Sequence, residues 1–123
     1  MDSTVQRRLE HALRAALKNR DTAAVSAFRS ALSAIANAAA VPAPAARARH
    51  ASQYLAGTVE GLGAAEASRR VLSENETAAI VSTEIAERRA AADRYERSGH
   101  ADRAGRLRRE ADALAAAVSA DPA

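Results

Sequence analysis

The residues of this sequence that could bind a ligand or take part in chemistry are charged side chains at helical spacing. Arg88 lies between Ile85 and Ala92 in an otherwise apolar stripe, where an unpaired guanidinium is costly to desolvate. Glu84 precedes Arg88 by about one helical turn, which is the distance at which helix side chains pair. The pattern fits a receptor for an anion or a carboxylate. It also fits a structural arginine whose stem packs and whose head pairs with Glu84 or with a residue of the second helix.

A second group of basic residues recurs at helical spacing near the start of the chain. Arg7, His11, Arg14 and Lys18 share one face of the first predicted helix, and Arg20 follows in the turn. This geometry suits contacts along a phosphate backbone, and it is equally the pattern of a solvated helix face. No aromatic residue is interleaved for base stacking, which argues against recognition of a single strand. The candidate nucleic-acid contacts are Arg7, Arg14, Lys18 and Arg20.

The other reactive residue types do not assemble into a catalytic or metal site. The chain has no cysteine, and His11, His50 and His100 are far apart without metal-ligand spacing. The serines of the second predicted helix lack a nearby His and Asp pattern, and the glycines between 57 and 63 do not match a phosphate-binding loop. We therefore expect no catalytic residue, no metal and no cofactor.

The distribution of charge indicates where a polyanion would bind. The formal net charge is +3; residues 1–72 carry ten basic and five acidic side chains, whereas residues 73–123 carry eight and ten. A polyanion-binding surface is therefore expected in the first half. No apolar run approaches the ~20 residues that a membrane span needs, and the N-terminus has no apolar signal core. We expect a cytoplasmic protein that does not contact a membrane.

The elements that must position these residues begin with a helical hairpin over 1–40. Helix one is predicted over 4–19 behind a capping box that opens at Ser3, and helix two over 22–40 behind an N-cap at Asp21. Apolar residues recur at spacings of three and four in both helices, which is typical of close antiparallel packing. A Val-Pro-Ala-Pro segment then stops helix two.

A second hairpin is predicted over 73–118. Ser73 and Glu76 have the spacing of a capping box at the start of helix three. Gly99 suits the left-handed residue that ends this helix, and helix four follows over about 101–118. On the outer faces, the spacing predicts ion pairs within each helix. These pairs are Asp93 with Arg97, Asp102 with Arg106, and Arg108 with Asp112.

Together the patterns predict an all-α fold, a four-helix antiparallel bundle of two helical hairpins in a single domain over 1–123. Residues 41–72 are expected to form a long, irregular and partly ordered connector, and 119–123 a frayed tail. The core is rich in alanine and poor in aromatic residues, so each buried side chain contributes little. A homodimer would supply additional burial.

These helical patterns resemble the GatB/YqeY family over 1–40 and 72–118. The first hairpin carries the segment ALKNRDTAAVSAFRSALSAIANA, and the second follows the family's helix-glycine-helix pattern. The matching positions are Asp21, Arg29, Leu32, Ile35, Asn37, Leu72, Glu76, Ile80, Glu84, Arg88, Tyr95, Gly99, Asp102, Leu107, Glu110 and Leu114. The chain differs from the family at Ala39, where many relatives have an acidic residue, and in the longer connector over 41–72.

The resemblance implies a YqeY-like accessory module, similar to the tail domain of the GatB component of a tRNA amidotransferase, which helps to hold tRNA. That enzyme is a glutamine-dependent carbon-nitrogen ligase that amidates misacylated glutamyl- or aspartyl-tRNA, and neither of its catalytic sites fits in this chain. The implied partners are tRNA or amidotransferase subunits. Family members usually continue into a Tyr-Leu-Pro segment and a second helical domain, so a shortened member is expected. The alternative is a protein-interaction or dimerisation module with no nucleic-acid role.

Overall fold

The computed structural model describes residues 3–40 and 70–120. These residues form four helices and no strand, so the predicted all-α fold is confirmed. The helices are α1 (Thr4–Lys18), α2 (Thr22–Ala40), α3 (Glu74–Arg97) and α4 (Ala101–Ser119). Their ends fall within a residue of the predicted ends, and α4 takes in the first residue of the expected frayed tail. Most of the connector predicted over 41–72, namely residues 41–69, lies outside the described residues, as do residues 1–2 and 121–123.

Contacts along the chain define two compact units. One consists of Met1–Ile35 with Ser73–Ala123, and the other of Ala36–Leu72. In the second unit, the amide of Arg70 donates to the carbonyl of Ala39 at 3.0 Å, near the end of α2. The first unit contains α1, most of α2, α3 and α4.

Side-chain caps fix where α1 and α2 begin. The Ser3 hydroxyl accepts from the Gln6 amide at 2.9 Å, and the Asp21 carboxylate accepts from the Ala24 amide at 3.2 Å. Both caps satisfy an amide that has no partner inside its helix. The Gln6 side chain donates to Glu10 at 3.2 Å, so the box predicted at Ser3 is present only as its first half.

The hairpin of α3 and α4 has the predicted signals at both ends of α3. Ser73 and Glu76 each accept from the other's backbone amide, so the capping box is complete. Gly99 has φ +85°, and the His100 amide donates to the Tyr95 carbonyl at 2.8 Å. This is the Schellman ending that glycine allows without strain. It turns the chain back, and α4 packs against α3 more extensively than against any other described helix.

The core of the first unit consists of aliphatic and alanine side chains together with one phenylalanine. Its buried apolar members are Val5, Leu9, Ala16, Ala23, Ala24, Ala27, Phe28, Ala31, Ile35, Val81, Ala92, Ala104, Ala111 and Leu114. In the first turns of α3, the apolar Ala78 is exposed, while the neighbouring polar Thr77 is buried. The Thr77 hydroxyl donates to the Ser73 carbonyl at 2.9 Å, so its burial leaves no unpaired polar atom.

Polar contacts at one end of the unit set the direction of α1. The Glu74 carboxylate accepts from the amides of Thr4 at 2.6 Å and Val5 at 3.3 Å. The Arg8 guanidinium donates to the Val118 carbonyl at 3.0 Å. The start of α1 therefore lies beside the start of α3 and the end of α4. An anion at the N-terminus of one helix and a cation at the C-terminus of another both interact favourably with the helix dipoles.

Candidate functional site

The predicted basic face of α1 is present and open to solvent. Arg7, His11, Arg14 and Lys18 are all exposed, on the side away from the buried apolar residues of the same helix. Their spacings of four, three and four residues stack them along one face. Within the described residues, none of these side chains has an acidic partner at ion-pair distance.

Arg20 extends this face beyond the end of α1. Its backbone is left-handed, with φ 58°, a conformation that usually requires glycine. The Arg20 amide donates to the Leu17 carbonyl at 3.2 Å, and the Asp21 amide donates to the Ala16 carbonyl at 3.0 Å. These bonds make the turn a Schellman ending with arginine at the strained position. The exposed guanidinium of Arg20 also has no acidic partner among the described residues.

The two halves of the described structure differ in charge. Residues 3–40 contain six basic and two acidic side chains, whereas residues 70–120 contain nine of each. In the second half, carboxylates hold arginines on α3 and α4 in ion pairs. The contact that 70–120 makes with α1 through Glu74 goes to backbone amides. It therefore leaves the basic face unneutralised.

Arg88 is the centre of a largely buried polar network. Its Nη1 donates to Glu84 Oε1 at 2.9 Å, and its Nε donates to Glu110 Oε1 at 3.0 Å. The Ser30 hydroxyl donates to Glu84 at 2.9 Å, and Arg106 Nε donates to Glu110 at 3.2 Å. The network thus ties together α2, α3 and α4.

The electrostatics of Arg88 fit a structural role. Burial by itself lowers the pKa of Arg88, but the hydrogen bonds and charges of Glu84 and Glu110 together outweigh it, so the pKa lies above its ordinary value. Two carboxylates already pair with the guanidinium through Nη1 and Nε, so its charge is compensated within the bundle. The predicted pair with Glu84 is present. Helix two takes part through Ser30, which bonds the carboxylate instead of the arginine.

The outer ion pairs differ from the predicted ones because the hairpin brings α3 and α4 side by side. Arg108 donates to Asp93 at 3.1 Å and to Glu96 at 2.6 Å, both on the facing helix. Arg89 lies 3.7 Å from Asp112. The predicted partners Arg97 for Asp93 and Asp112 for Arg108 were therefore wrong. Likewise Arg106 pairs with Glu110, where Asp102 had been expected.

The remaining candidate reactive residues do not converge. His11 is exposed on α1, whereas the His100 ring lies 3.0 Å from the Ser98 hydroxyl and edge-on to Tyr95. His50 lies outside the described residues. Across 3–40 and 70–120, no group of three His, Asp or Glu side chains is placed to hold a metal ion. Ser30 is bonded to Glu84, a carboxylate already paired with arginine.

Sequence reasoning missed a shallow open groove where α1 meets α2. It encloses about 670 Å³, and its lining residues are Leu17, Arg20, Thr22, Val25, Ser26 and Arg29. Leu17 is 46% exposed. The available signal was that Leu17 falls outside the apolar stripe of α1, immediately before the basic turn.

Comparisons with known proteins identify no relative. No family model matches the sequence, and searches of curated proteins and of solved structures also give no match. The resemblance to the GatB/YqeY family therefore stays a prediction. Over the described part of the chain, every helix is too short or too polar to cross a bilayer.

Proposed function

We propose that this chain is a non-catalytic helical module that binds RNA through the basic face of α1. The observation that carries the proposal is the exposure of Arg7, Arg14, Lys18 and Arg20 without acidic partners in the described structure. Elsewhere in the same unit, carboxylates hold several arginines in ion pairs. Residues 3–40 carry an excess of basic side chains, whereas 70–120 carry equal numbers of each sign, so the excess positive charge lies in the half that contains α1, as electrostatic attraction of a polyanion requires.

The shape of the basic face suits phosphate contacts. Arg7 and Lys18 are eleven residues apart on one helix, which is about 16 Å along its axis at ~1.5 Å per residue. Arginine presents a planar fork of donors that matches phosphate oxygens. No aromatic side chain lies on α1 for base stacking, so binding through this face is expected to depend on the backbone and to discriminate weakly between sequences.

The resemblance to the GatB/YqeY family supplies the finer part of the proposal. It implies that the bound RNA is tRNA. It also links the module to glutamine-dependent tRNA amidation, as an accessory of the carbon-nitrogen ligase. The network of Glu84 and Arg88 then serves to hold the helices together, without taking part in chemistry. The cytoplasm is the compartment that this proposal assumes.

A tRNA titration at two salt concentrations tests the proposal. For four phosphate contacts, the slope of about 0.7–0.9 per contact predicts that affinity falls about 50- to 150-fold between ~50 and ~200 mM monovalent salt. Replacing Arg7 and Arg14 together by Gln should weaken binding and reduce this slope by about two contacts' worth. The matched control replaces Arg94 and Arg109 by Gln, because both are exposed arginines on α3 and α4.

Two results would end the RNA proposal. One is an absence of tRNA binding at the lower salt concentration. The other is an equal loss of affinity in the control variant, because the basic face of α1 would then contribute nothing special. Circular dichroism of both variants would check that their helices are kept. A loss of binding can then be told apart from a loss of fold.

Exposed apolar side chains favour the second candidate, a protein-interaction or dimerisation module. Leu17 is 46% exposed and Val71 is 82% exposed, and each is a large side chain that burial in an interface would stabilise. Light scattering over a range of concentrations, with pull-down of amidotransferase subunits, tests this candidate. A strict monomer that captures none of these subunits contradicts it.

A further inference from the structure

The groove between α1 and α2 combines an apolar floor with a cationic rim. Leu17 comes from the last turn of α1, and Val25 comes from the first turns of α2. Arg20 and Arg29 also line the groove. Arg29 follows Val25 by four residues, so both lie on one face of α2.

The cations of the rim are free to meet a ligand. Neither Arg20 nor Arg29 has a carboxylate at ion-pair distance among the described residues. The nearest acidic residue in sequence is Asp21, and its carboxylate is engaged as the cap of α2 by the Ala24 amide. Lys18 adds a further positive charge next to Leu17. The surroundings of the groove are therefore positive.

The backbone conformation of Arg20 is a second observation that favours a binding role for the rim of the groove. A residue with a β-carbon in the left-handed conformation costs roughly 1–2 kcal/mol, which glycine would avoid. At the equivalent position after α3 the chain has Gly99, with φ +85°. The same type of helix ending thus has glycine after α3 and arginine after α1. The strain therefore falls on a residue that also lines the groove.

We propose that this groove docks an acidic, amphipathic segment of a partner protein. One apolar side chain of the segment packs between Leu17 and Val25, and carboxylates on either side of it pair with Arg20 and Arg29. Helix-in-groove recognition combines these same elements, an apolar anchor and flanking charges of opposite sign.

The groove chemistry favours this occupant over RNA and over a second copy of the chain. The floor is aliphatic and has no aromatic ring for a base to stack on. A second copy offers few free carboxylates on α3 and α4, because arginines already hold Glu84, Asp93, Glu96, Glu110 and Asp112. Charge complementarity therefore points to a different protein.

Selection of displayed random peptides, about a dozen residues long, on the full-length protein tests the proposal. We expect enriched peptides to combine Asp or Glu with Leu, Ile or Phe at helical spacing. The affinity of a labelled enriched peptide is then measured by fluorescence anisotropy. Arg29→Glu should weaken it at least about tenfold, and Arg29→Lys should keep most of the binding because the charge remains. Leu17→Ser should weaken binding without unfolding the chain, since Leu17 is half exposed.

Arg14→Glu is the matched control, because it reverses a charge on the exposed face of α1, outside the residues that line the groove. The proposal is overturned if no peptide is enriched, or if the enriched peptides lack acidic residues. It is also overturned if Arg14→Glu weakens binding as much as Arg29→Glu, or if single-stranded RNA competes for the groove with the same dependence on Arg29. Concentration-dependent dimerisation that Arg29→Glu abolishes would identify a second copy as the occupant instead.

Discussion

Replacing Arg88 tests whether the buried network is structural. The Arg88 side chain is only 13% exposed, and its partners Glu84 and Glu110 are 16% and 10% exposed. Arg88→Met keeps most of the apolar stem and removes the cation. Both carboxylates then remain largely buried without their main partner. Removing one member of a buried ion pair is strongly destabilising, because it leaves the other charge uncompensated.

The expected loss is about 3 kcal/mol of unfolding free energy, at the low end of the ~3–5 kcal/mol range for a buried pair. The low end applies because Arg106 still donates to Glu110 at 3.2 Å. For a chain of this size, the loss corresponds to a fall in Tm of roughly 12 °C. Urea unfolding followed by far-ultraviolet circular dichroism measures it. The triple variant Glu84→Gln, Arg88→Met and Glu110→Gln should recover most of the loss, because no unpaired charge remains.

Arg108→Met is the matched control. Arg108 also donates to two carboxylates, and its hydrogen bonds to Glu96 first and Asp93 second raise its pKa. Its side chain is 40% exposed, however, and both partners are more exposed still. Water replaces the lost contacts there, so the free energy of unfolding should stay close to that of the unaltered protein.

The pH dependence gives an independent check. The pKa of Arg88 is raised, so the stability contributed by this cation is fully present below the ordinary pKa of arginine and is lost only at more alkaline pH. The destabilisation in Arg88→Met should therefore stay constant from about pH 7 to about pH 10. A loss no larger than that of Arg108→Met, or one that disappears by about pH 10, refutes the reasoning.

Three further substitutions test how the helices end and begin. Arg20→Gly should stabilise the fold by about 1 kcal/mol by relieving the left-handed strain, and a lower Tm would contradict this. Gly99→Ala should destabilise it by about 1 kcal/mol for the opposite reason, since φ there is +85°. Glu74→Ala removes the acceptor of the Thr4 and Val5 amides and should cost about 1 kcal/mol in chemical unfolding; an unchanged midpoint would mean that water replaces it fully.

Helix boundaries were predictable because their signals are local. Ser73 with Glu76, and Gly99 after α3, act within a few residues of the end that they define. Such signals depend little on the rest of the fold. The position of Arg88 in an apolar stripe also indicated that its guanidinium needs a partner, and the predicted partner Glu84 is present.

Partners across helices were not predictable, because they depend on how two helices align. Glu110 reaches Arg88, and Arg108 reaches Asp93, only once α4 has folded back along α3. Spacing within one helix suggested other pairs for Asp93 and Arg108. In the structure, the long Arg108 side chain extends across the hairpin and pairs with Asp93 instead. The groove at Leu17 depends similarly on the direction in which α2 leaves the turn.

The contacts at the start of α1 also bear on how the chain is made. Thr4 finds its acceptor in Glu74, 70 residues later, and Arg8 finds the Val118 carbonyl 110 residues later. At ~5–20 residues per second, a ribosome needs about 5–20 s to deliver that last partner. The first helix is thus synthesised early, but its contacts with Glu74 and Val118 form only after those residues have been made. In that interval the amides at the start of α1 and the Arg8 guanidinium lack the partners that they have in the folded chain.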